Sequence, residues 1–265
     1  MTEARAAKER DGLAGGAQGG PCWVSLMVRE PAAARAFYGA LFGWEYEEGP
    51  RGLGPYGRAL LDGRPVAGLG QLPTGTGLPV AWTTYFETSD VNELAATVHA
   101  CGGTVGVGPL DSPGAGRLAL ASDPGGARFG LWQPAEHRGF AVTGVPGAHS
   151  WSELLTRDTA SIAPFYRAVL GFGVRQDDPD HLTFTREGQP VAAALGVGRS
   201  RARERGAGWL ACFGVGDVSA ACARLPGLGG QVVEEPADGP RGRTATVADP
   251  EGAVFALVGT EGERG

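Results

Sequence analysis

Apolar and polar residues alternate over short stretches along the first quarter of the chain, and one stretch has helical spacing. The segment Pro31–Gly43 repeats apolar residues on one helical face and ends in glycine, which predicts a helix. Short apolar runs separated by Gly/Pro turns predict strands around it. These strands are Trp23–Val28, Trp44–Glu47, Arg58–Leu61 and Val66–Leu69. The order of elements is therefore βαβββ.

The same order of patterns returns over residues 82–132. A helix is predicted at Val91–Ala100, where Gly102 and Gly103 end it. The predicted strands are Thr83–Thr88, one near Val105, Arg117–Ala121 and Ala127–Trp132. The second half of the chain supplies two more copies, so that the sequence predicts four βαβββ units.

An internal repeat explains this recurrence. Phe165-Tyr166 follows Phe37-Tyr38 at an offset of 128 residues, and Asp249-Pro-Glu-Gly252 follows Asp123-Pro-Gly-Gly126 at 126. Such self-similarity indicates tandem duplication. The predicted domains are a disordered tail at 1–20, a first domain at 21–134, a linker at 135–148 and a second domain at 149–260.

The repeated residues resemble those of the vicinal oxygen chelate superfamily, which includes glyoxalases, extradiol dioxygenases and bleomycin resistance proteins. The resemblance rests on the Phe-Tyr pairs, the Gly-Gly pairs and the two Asp-Pro-x-Gly turns. It implies an α+β fold in which the four βαβββ modules form two tandem, glyoxalase-like, half-open barrels.

The resemblance also implies a divalent metal in each barrel, held by four inward His or Glu side chains. None of the eight positions that correspond to those ligands carries an imidazole or a carboxylate. The eight are Trp23, Gly68, Thr83, Gly130, Trp151, Ala193, Leu210 and Ala256. We therefore predict that both metal sites are lost and that the protein has no cofactor. The alternative is one site rebuilt from His149, Glu153 and His181.

Composition narrows the class of protein. The 265 residues include 46 glycines but one lysine, one isoleucine and one asparagine, as in GC-rich genomes, so a single glycine is a weak signal. The chain has no apolar run that could span a membrane, its first twenty residues lack the apolar core of a signal peptide, and it has no C-x-x-C motif, so we expect a cytoplasmic protein with reduced thiols. With a net charge of -6 and a basic cluster, Arg199–Arg205, that is expected to be a solvated loop, neither nucleic acid nor membrane is a predicted partner.

Alternation along the strands indicates which side chains line the cavities. An aromatic and apolar lining suits a flat hydrophobic ligand, although the same side chains could simply fill a barrel. Arg128 could point inward, or lie exposed at an open edge. The candidate ligand-binding residues are Trp23, Ser25, Met27, Tyr56, Tyr85, Arg128, Trp151 and Cys212. Glycine or alanine at the lost ligand positions is expected to leave volume for a bulky guest.

Three further residues are candidates for acid/base chemistry. His149 and Glu153 share a strand face with Trp151, and His181 opens a later strand. A His–Glu pair could move a proton on a bound enol or phenol. Alternatively, Glu153 is structural and accepts hydrogen bonds from the backbone or from Arg157.

The leading hypothesis is a metal-independent protein that binds a hydrophobic aromatic secondary metabolite, as a resistance or biosynthetic accessory protein. The alternative is an enzyme of the same fold, an isomerase, lyase or hydroxylase-like protein, acting through Glu153, His149 and His181. A metal-dependent glyoxalase or dioxygenase is disfavoured, and either a monomer or a homodimer is compatible with four modules in one chain.

Overall fold

The computed structural model describes residues 19–49, 55–75, 77–197 and 207–260. Within these ranges sixteen strands and four α-helices follow the order βαβββ four times, and we call each repeat a module. No helix in this part of the chain has the length and apolar character needed to cross a membrane. Most of the predicted tail, residues 1–18, and the cluster Arg199–Arg205 lie outside the described residues.

The predicted elements of the first half are confirmed, and the bounds that were predicted differ by at most two residues from those in the structure; the strand predicted near Val105, without bounds, runs from Thr104 to Ser112. The first module contains β1 (Pro21–Val28), α1 (Pro31–Phe42), β2 (Glu45–Glu48), β3 (Tyr56–Leu61) and β4 (Arg64–Gln71). The second contains β5 (Ala81–Glu87), α2 (Val91–Ala100), β6 (Thr104–Ser112), β7 (Gly116–Ser122) and β8 (Arg128–Pro134). The third contains β9 (His149–Thr156), α3 (Thr159–Leu170), β10 (Gly173–Asp178), β11 (His181–Arg186) and β12 (Gln189–Gly196). The fourth contains β13 (Gly208–Val215), α4 (Val218–Arg224), β14 (Gln231–Gly239), β15 (Gly242–Ala248) and β16 (Val254–Gly259).

The ends of the helices follow from local chemistry. Both α1 and α3 stop at a glycine, Gly43 or Gly171, in the left-handed conformation that other residues adopt at a cost. Three helices begin after an aspartate whose carboxylate accepts backbone N–H groups of the first turn, namely Asp90, Asp158 and Asp217.

Helix α1 begins differently. Glu30 precedes it without a side-chain cap, and the carboxylate of Glu251 instead accepts hydrogen bonds from the backbone N–H groups of Arg29 and Glu30 at 3.0 Å. The two residues that lead into α1 are therefore held by a turn in the fourth module.

The four modules fall into two compact units, and each unit takes one module from each half of the sequence. We name the units by the order of their modules in the sequence. The inner unit holds the second and third modules, as Met1–Trp23, Thr83–Gly139 and Ser152–Leu210. The outer unit holds the first and fourth modules, as Val24–Trp82, Phe140–Trp151 and Ala211–Gly265. The sixteen strands form two mixed eight-stranded sheets, and within each module the last strand pairs in parallel with the first.

Each unit has the same hydrogen-bonded chain in its core. In the inner unit, Trp209 Nε1 donates to the hydroxyl of Tyr166 at 2.9 Å, and that hydroxyl donates to Asp123 Oδ2 at 2.9 Å. Burial raises the pKa of Tyr166 and that of Asp123, so that both groups hold their protons more tightly than in water. The repeated Phe-Tyr and Asp-Pro-x-Gly motifs thus join two modules within a unit.

The outer unit repeats this arrangement with Trp82, Tyr38 and Asp249. Trp82 Nε1 donates to Tyr38 at 3.1 Å, and Tyr38 donates to Asp249 Oδ2 at 3.0 Å. The second carboxylate oxygen of Asp249 accepts the N–H of Ala253 and closes the turn. The Phe-Tyr and Asp-Pro-x-Gly motifs recur at similar spacing in the two halves because each unit needs one of each to form its buried hydrogen bonds.

Candidate functional site

One row of register partners crosses the four strands of each module, and its residue on the last strand is one of the positions where the resemblance places metal ligands. The rows, from the first strand outward, are Ser25–Gly68–Arg58–Glu47, Tyr85–Gly130–Leu120–Val107, Glu153–Ala193–Thr183–Arg175 and Cys212–Ala256–Thr246–Glu234. In each row the residue on the first strand lies two positions after the one that the resemblance indicated. Trp23, Thr83, Trp151 and Leu210 are thus not the register partners of the small residues on the last strands.

The donors in these rows do not fit a divalent metal ion. Of the eight residues on the first and last strands, Glu153 and Cys212 carry the two groups that could ligate one, and a metal needs three or more such groups converging. Within the described ranges, no group of three or more His, Cys, Asp or Glu side chains could hold a metal ion.

In the first module, the small residues of the last strand are covered by side chains of the same module. A Cβ atom at Gly68 would overlap the hydroxyl and ring of Tyr56, and one at Gly70 would lie 2.6 Å from Sδ of Met27. Tyr56 and Met27 each remain partly exposed. The expected empty volume above Gly68 is therefore absent, because a phenol ring occupies it.

The second module repeats this geometry with another tyrosine. Gly130 is in register with Tyr85, and a Cβ atom there would overlap the Tyr85 ring. Trp23 is buried with its ring edge against His137, at 4.4 Å between centroids. Arg128, for which two orientations were open, is exposed at the start of β8. The ring of Tyr85 is thus partly exposed and could contact a ligand, whereas the ring of Trp23 is buried against His137.

The row of the third module is polar. Thr183 is buried and donates to Asp177 Oδ2 at 2.5 Å, while Arg175 Nε donates to Asp177 Oδ1 at 2.8 Å. These two hydrogen bonds lower the pKa of Asp177 and keep it ionised. His181 Nδ1 lies 3.5 Å from Asp177 Oδ2. Glu153 is partly buried in the same row, with Ala193 between it and Thr183.

The structure places His149 in a different environment from that of His181. Its ring is buried and stacks on Phe140, with centroids 4.5 Å apart. Burial lowers the pKa of His149 to about 3, so the imidazole is neutral near pH 7 and a weak base.

Cys212 is buried in the row of the fourth module, where Thr246 donates to Glu234 Oε2 at 2.6 Å. Trp151 lies in the same unit and remains partly exposed. The guanidinium of Arg241 lies 4.8 Å from the centre of its ring. The buried Trp151 Nε1 has no hydrogen-bond partner among the described residues.

Asp177 and Arg241 were missed by sequence reasoning. Asp177 stands at an irregularity in the β10–β11 register, and Arg241 lies in the turn between β14 and β15. Alternation cannot assign a face to residues at such places. The acidic run Asp177-Asp-Pro-Asp180, followed by His181, is the one signal that could have found the first of them.

The sequence model of the Glyoxalase/Bleomycin resistance protein/Dioxygenase superfamily matches residues 21–131 and 135–257 of this chain. The chain belongs to this superfamily. Among solved structures, it is similar in fold to a Mn(II)-bound glyoxalase from Novosphingobium aromaticivorans, with a TM-score of 0.61 and 19% identity over 91% of this chain and 82% of that one. It is also similar in fold to the 2,3-dioxygenase LapB from Pseudomonas sp. KL28, with a TM-score of 0.60 and 15% identity over 91% of this chain and 93% of that one.

Two relatives are similar in sequence along most of their length. The anthracycline biosynthesis protein DauV of Streptomyces sp. (strain C5) is 36% identical over 259 residues, which cover 91% of this chain and 94% of DauV. A protein named as a glyoxylase, CFP32 of Mycobacterium tuberculosis, is 35% identical over 259 residues, 91% of this chain and 95% of CFP32. This superfamily member thus has a relative in the biosynthesis of a secondary metabolite.

Proposed function

We propose that this protein binds a planar aromatic secondary metabolite without a metal ion, as an accessory or resistance protein of a biosynthetic pathway. One observation carries the proposal. Tyrosine rings lie over Gly68 and Gly130, two positions that the superfamily resemblance assigns to metal ligands. Aromatic surface therefore replaces ligand groups at both places.

The exposed aromatic side chains are the proposed contacts. Tyr56, Tyr85 and Trp151 are partly exposed, and planar rings favour offset stacking or edge-to-face contact with such side chains. The hydroxyl groups of the two tyrosines can also donate to ligand oxygens. Met27, which is also partly exposed, would add a smaller contact beside Tyr56. Ser25 and Cys212 are buried and are not among the proposed contacts.

The similarity to DauV supports the ligand class. Anthracyclines are flat polycyclic quinones, and DauV is named for their biosynthesis. We propose that this chain takes a ligand of that general shape, in a reducing compartment such as the cytoplasm. All four cysteines are free thiols, which agrees with that location.

The test uses anthraquinone-2-sulfonate, a soluble planar quinone, and protein treated with a chelator. We expect the probe to quench tryptophan fluorescence with the same affinity before and after chelation. Tyr56→Ala should weaken binding to the outer unit and Tyr85→Ala binding to the inner unit, each roughly tenfold, the effect of losing one aromatic contact. Tyr46→Phe, which alters a tyrosine away from the proposed contacts, is the control. Binding that needs added Mn(II), or that survives both alanine variants unchanged, contradicts the proposal.

The third module favours a second candidate function, acid/base chemistry on the same kind of compound. The geometry places Asp177 beside His181, and Glu153 lies in the row of Thr183. One such group could remove a proton from an acidic C–H of the ligand while another returns it to an oxygen, which is an isomerisation. His149 is a weaker candidate because its ring is neutral and stacked on Phe140.

Anthrone tests this second function, because its tautomerisation to anthranol is a proton transfer that needs no oxidant. The measurement is the exchange of its benzylic protons in deuterated buffer under argon. We expect acceleration by the wild-type protein and its loss in Glu153→Gln, with binding of the quinone probe unchanged. Exchange at the rate of buffer alone, or equal acceleration by Glu153→Gln, rules out this chemistry for Glu153.

A further inference from the structure

Four aliphatic side chains adjoin one another on the two outer strands of the second module. Val107 and Leu110 of β6 are each 42% exposed, and their register partners on β7, Leu120 and Leu118, are partly exposed. We call this set the aliphatic wall. A single exposed leucine or valine is ordinary, whereas four neighbours on adjacent strands form a continuous apolar surface.

A bulge in β6 brings both of its residues into the aliphatic wall. Val107 pairs with Leu120 and Leu110 pairs with Leu118, so that three steps along β6 correspond to two along β7. In a regular strand, residues three positions apart point to opposite faces. The extra residue of the bulge therefore returns Leu110 to the face that carries Val107.

The aliphatic wall lies on the same face of the sheet as Tyr85. Leu120 is in register with Gly130, which lies beneath the Tyr85 ring. The alternate residues of β7, Ala119 and Ala121, are buried in the core together with residues of α2. The order β5-β8-β7-β6 places the edge strand of this face about 14 Å from the strand of Tyr85, at about 4.8 Å for each strand spacing.

The fourth module has the same backbone arrangement with different side chains. Glu234 pairs with Thr246 and Ala237 pairs with Thr244, again with three steps on one strand against two on the other. These residues occupy the four positions of the aliphatic wall, and Thr246 donates to Glu234 Oε2 at 2.6 Å. The fold therefore accepts polar residues at these positions and does not require aliphatic ones.

The rows of the first and third modules are polar on their outer strands as well. Arg58 Nε lies 2.7 Å from Glu47 Oε1, and Arg175 Nη2 donates to Thr183 Oγ1 at 3.4 Å. Of the four rows, that of the second module is the one with aliphatic residues on both outer strands. An apolar surface thus continues from the Tyr85 ring in this module alone.

We propose that the aliphatic wall binds an alkyl arm or saturated ring of the ligand whose planar part stacks on Tyr85. A charged or hydrogen-bonding group placed against four aliphatic side chains would lose hydration without gaining a partner, whereas an apolar extension gains free energy as its surface leaves water. This inference rests on the proposed function and specifies its ligand further, as an elongated molecule that is aromatic at one end and apolar at the other.

The experiment titrates the full-length protein with 4-ethylphenol, 4-butylphenol and 4-(2-methoxyethyl)phenol, in which an ether oxygen replaces one methylene of the butyl arm. Binding is followed by the backbone amide NMR signals of residues 104–122. We expect the affinity to rise roughly fivefold from the ethyl to the butyl compound, less than complete burial of two methylene groups would give, because the aliphatic wall covers one side of the arm. The ether should bind no more tightly than 4-ethylphenol.

The double variant Val107→Thr/Leu110→Thr makes the exposed part of the aliphatic wall polar with little loss of volume. It should reduce the gain from ethyl to butyl to roughly twofold or less and leave the affinity for 4-ethylphenol unchanged. Val233→Thr is the matched control, because this valine is similarly exposed, at 36%, on the edge strand of the fourth module. It should retain the full gain.

Two results would overturn the role of the aliphatic wall. One is equal affinity for 4-butylphenol and its ether analogue, a comparison that needs only the wild-type protein. The other is a full butyl gain in the folded double variant. If anthraquinone-2-sulfonate binds in a manner that depends on Tyr85 while the phenols show no gain, the aliphatic wall alone is wrong. If neither the quinone nor any phenol binds, the proposed function fails together with it.

Discussion

In the first two modules the last-strand positions of the register rows are glycines beneath tyrosine rings, whereas in the last two they are alanines. The polar groups differ as well. Thr183 and Thr246 flank the alanines with hydroxyl groups, and each of these hydroxyls donates to a carboxylate. The first half thus offers aromatic surface and the second half offers proton-exchanging groups.

The cores of the two units have not diverged in this way. Each retains a tryptophan, a tyrosine and an aspartate in one buried hydrogen-bonded chain. A buried polar group without its partner is costly, so a change in one of the three residues is opposed by the other two. The two halves therefore differ in the residues of the strand rows but retain the same three residues in the core of each unit.

The largest expected effect tests the equivalence of the two cores. Tyr38→Phe and Tyr166→Phe should each lower the free energy of unfolding by roughly 2–4 kcal/mol, because each removes the hydroxyl that bridges Oδ2 of a buried aspartate and a tryptophan N–H. Urea denaturation measures it. Tyr46→Phe is the control, since its buried hydroxyl has no hydrogen-bond partner among the described residues and its loss should cost little. A large loss in only one of the two core variants would break the equivalence.

The next prediction sharpens the difference between the strand rows. A methyl group in Gly130→Ala must displace the Tyr85 ring, so we expect the affinity for anthraquinone-2-sulfonate to fall about tenfold, or ~1.4 kcal/mol. Ala193→Gly should leave that affinity unchanged and cost about 1 kcal/mol of stability through backbone entropy. Fluorescence titration and thermal unfolding distinguish the two. Equal affinity in wild type and Gly130→Ala would mean that the tyrosine is not part of the binding surface.

A smaller effect concerns the carboxylates at the beginnings of two helices. Glu251→Ala should destabilise the protein by about 1 kcal/mol, as Asp158→Ala should, because each removes an acceptor of backbone N–H groups, just before α1 for Glu251 and in the first turn of α3 for Asp158. Glu30→Ala should be nearly neutral, since its side chain makes no capping hydrogen bond. Chemical denaturation of the three variants gives the comparison. A larger loss for Glu30→Ala than for Glu251→Ala would contradict it.

The smallest expected effect is on pH dependence. Burial raises the pKa of Asp249 above its ordinary value of 3.8, so the folded state holds this proton more tightly than the unfolded state does. The contribution of this group to stability is present at low pH and is lost as the pH rises from about 3.8 through the raised folded-state pKa. The stability difference between wild type and Asp249→Asn should therefore narrow with rising pH, and Asp123→Asn should behave alike. A difference that widens would reverse the inferred sign.

Most of the fold could be predicted from local sequence, because helix and strand periodicities and the repeated motifs are visible in neighbouring residues. Pairing of the first module with the fourth was not predictable in this way. The hydrogen bond from Tyr38 to Asp249 joins residues 211 positions apart, and the Asp-Pro-x-Gly motif that contains Asp249 also occurs at Asp123. The same motifs serve either pairing.

The candidate site was predictable in part. Alternation located Glu153, Tyr85 and Cys212 on their strands, and counting donors led to the prediction that the metal sites are lost, which stays a prediction. The positions of the Tyr56 and Tyr85 rings were not foreseen, because side-chain rotamers depend on packing beyond the strand. Gly68 and Gly130 were expected to leave empty volume, whereas in the structure a tyrosine ring lies on each of them.

The nesting of the two units has a consequence for synthesis on the ribosome. The bond between Tyr166 and Asp123 spans 43 residues, and the inner unit can close as soon as its third module has emerged. The first module is made earliest, yet its partner is the last module to appear. The apolar face of its helix therefore lacks its fourth-module contacts, such as those with Phe213 and Phe255, through most of translation, and we expect the nascent chain to be sensitive to chaperones and to the rate of elongation.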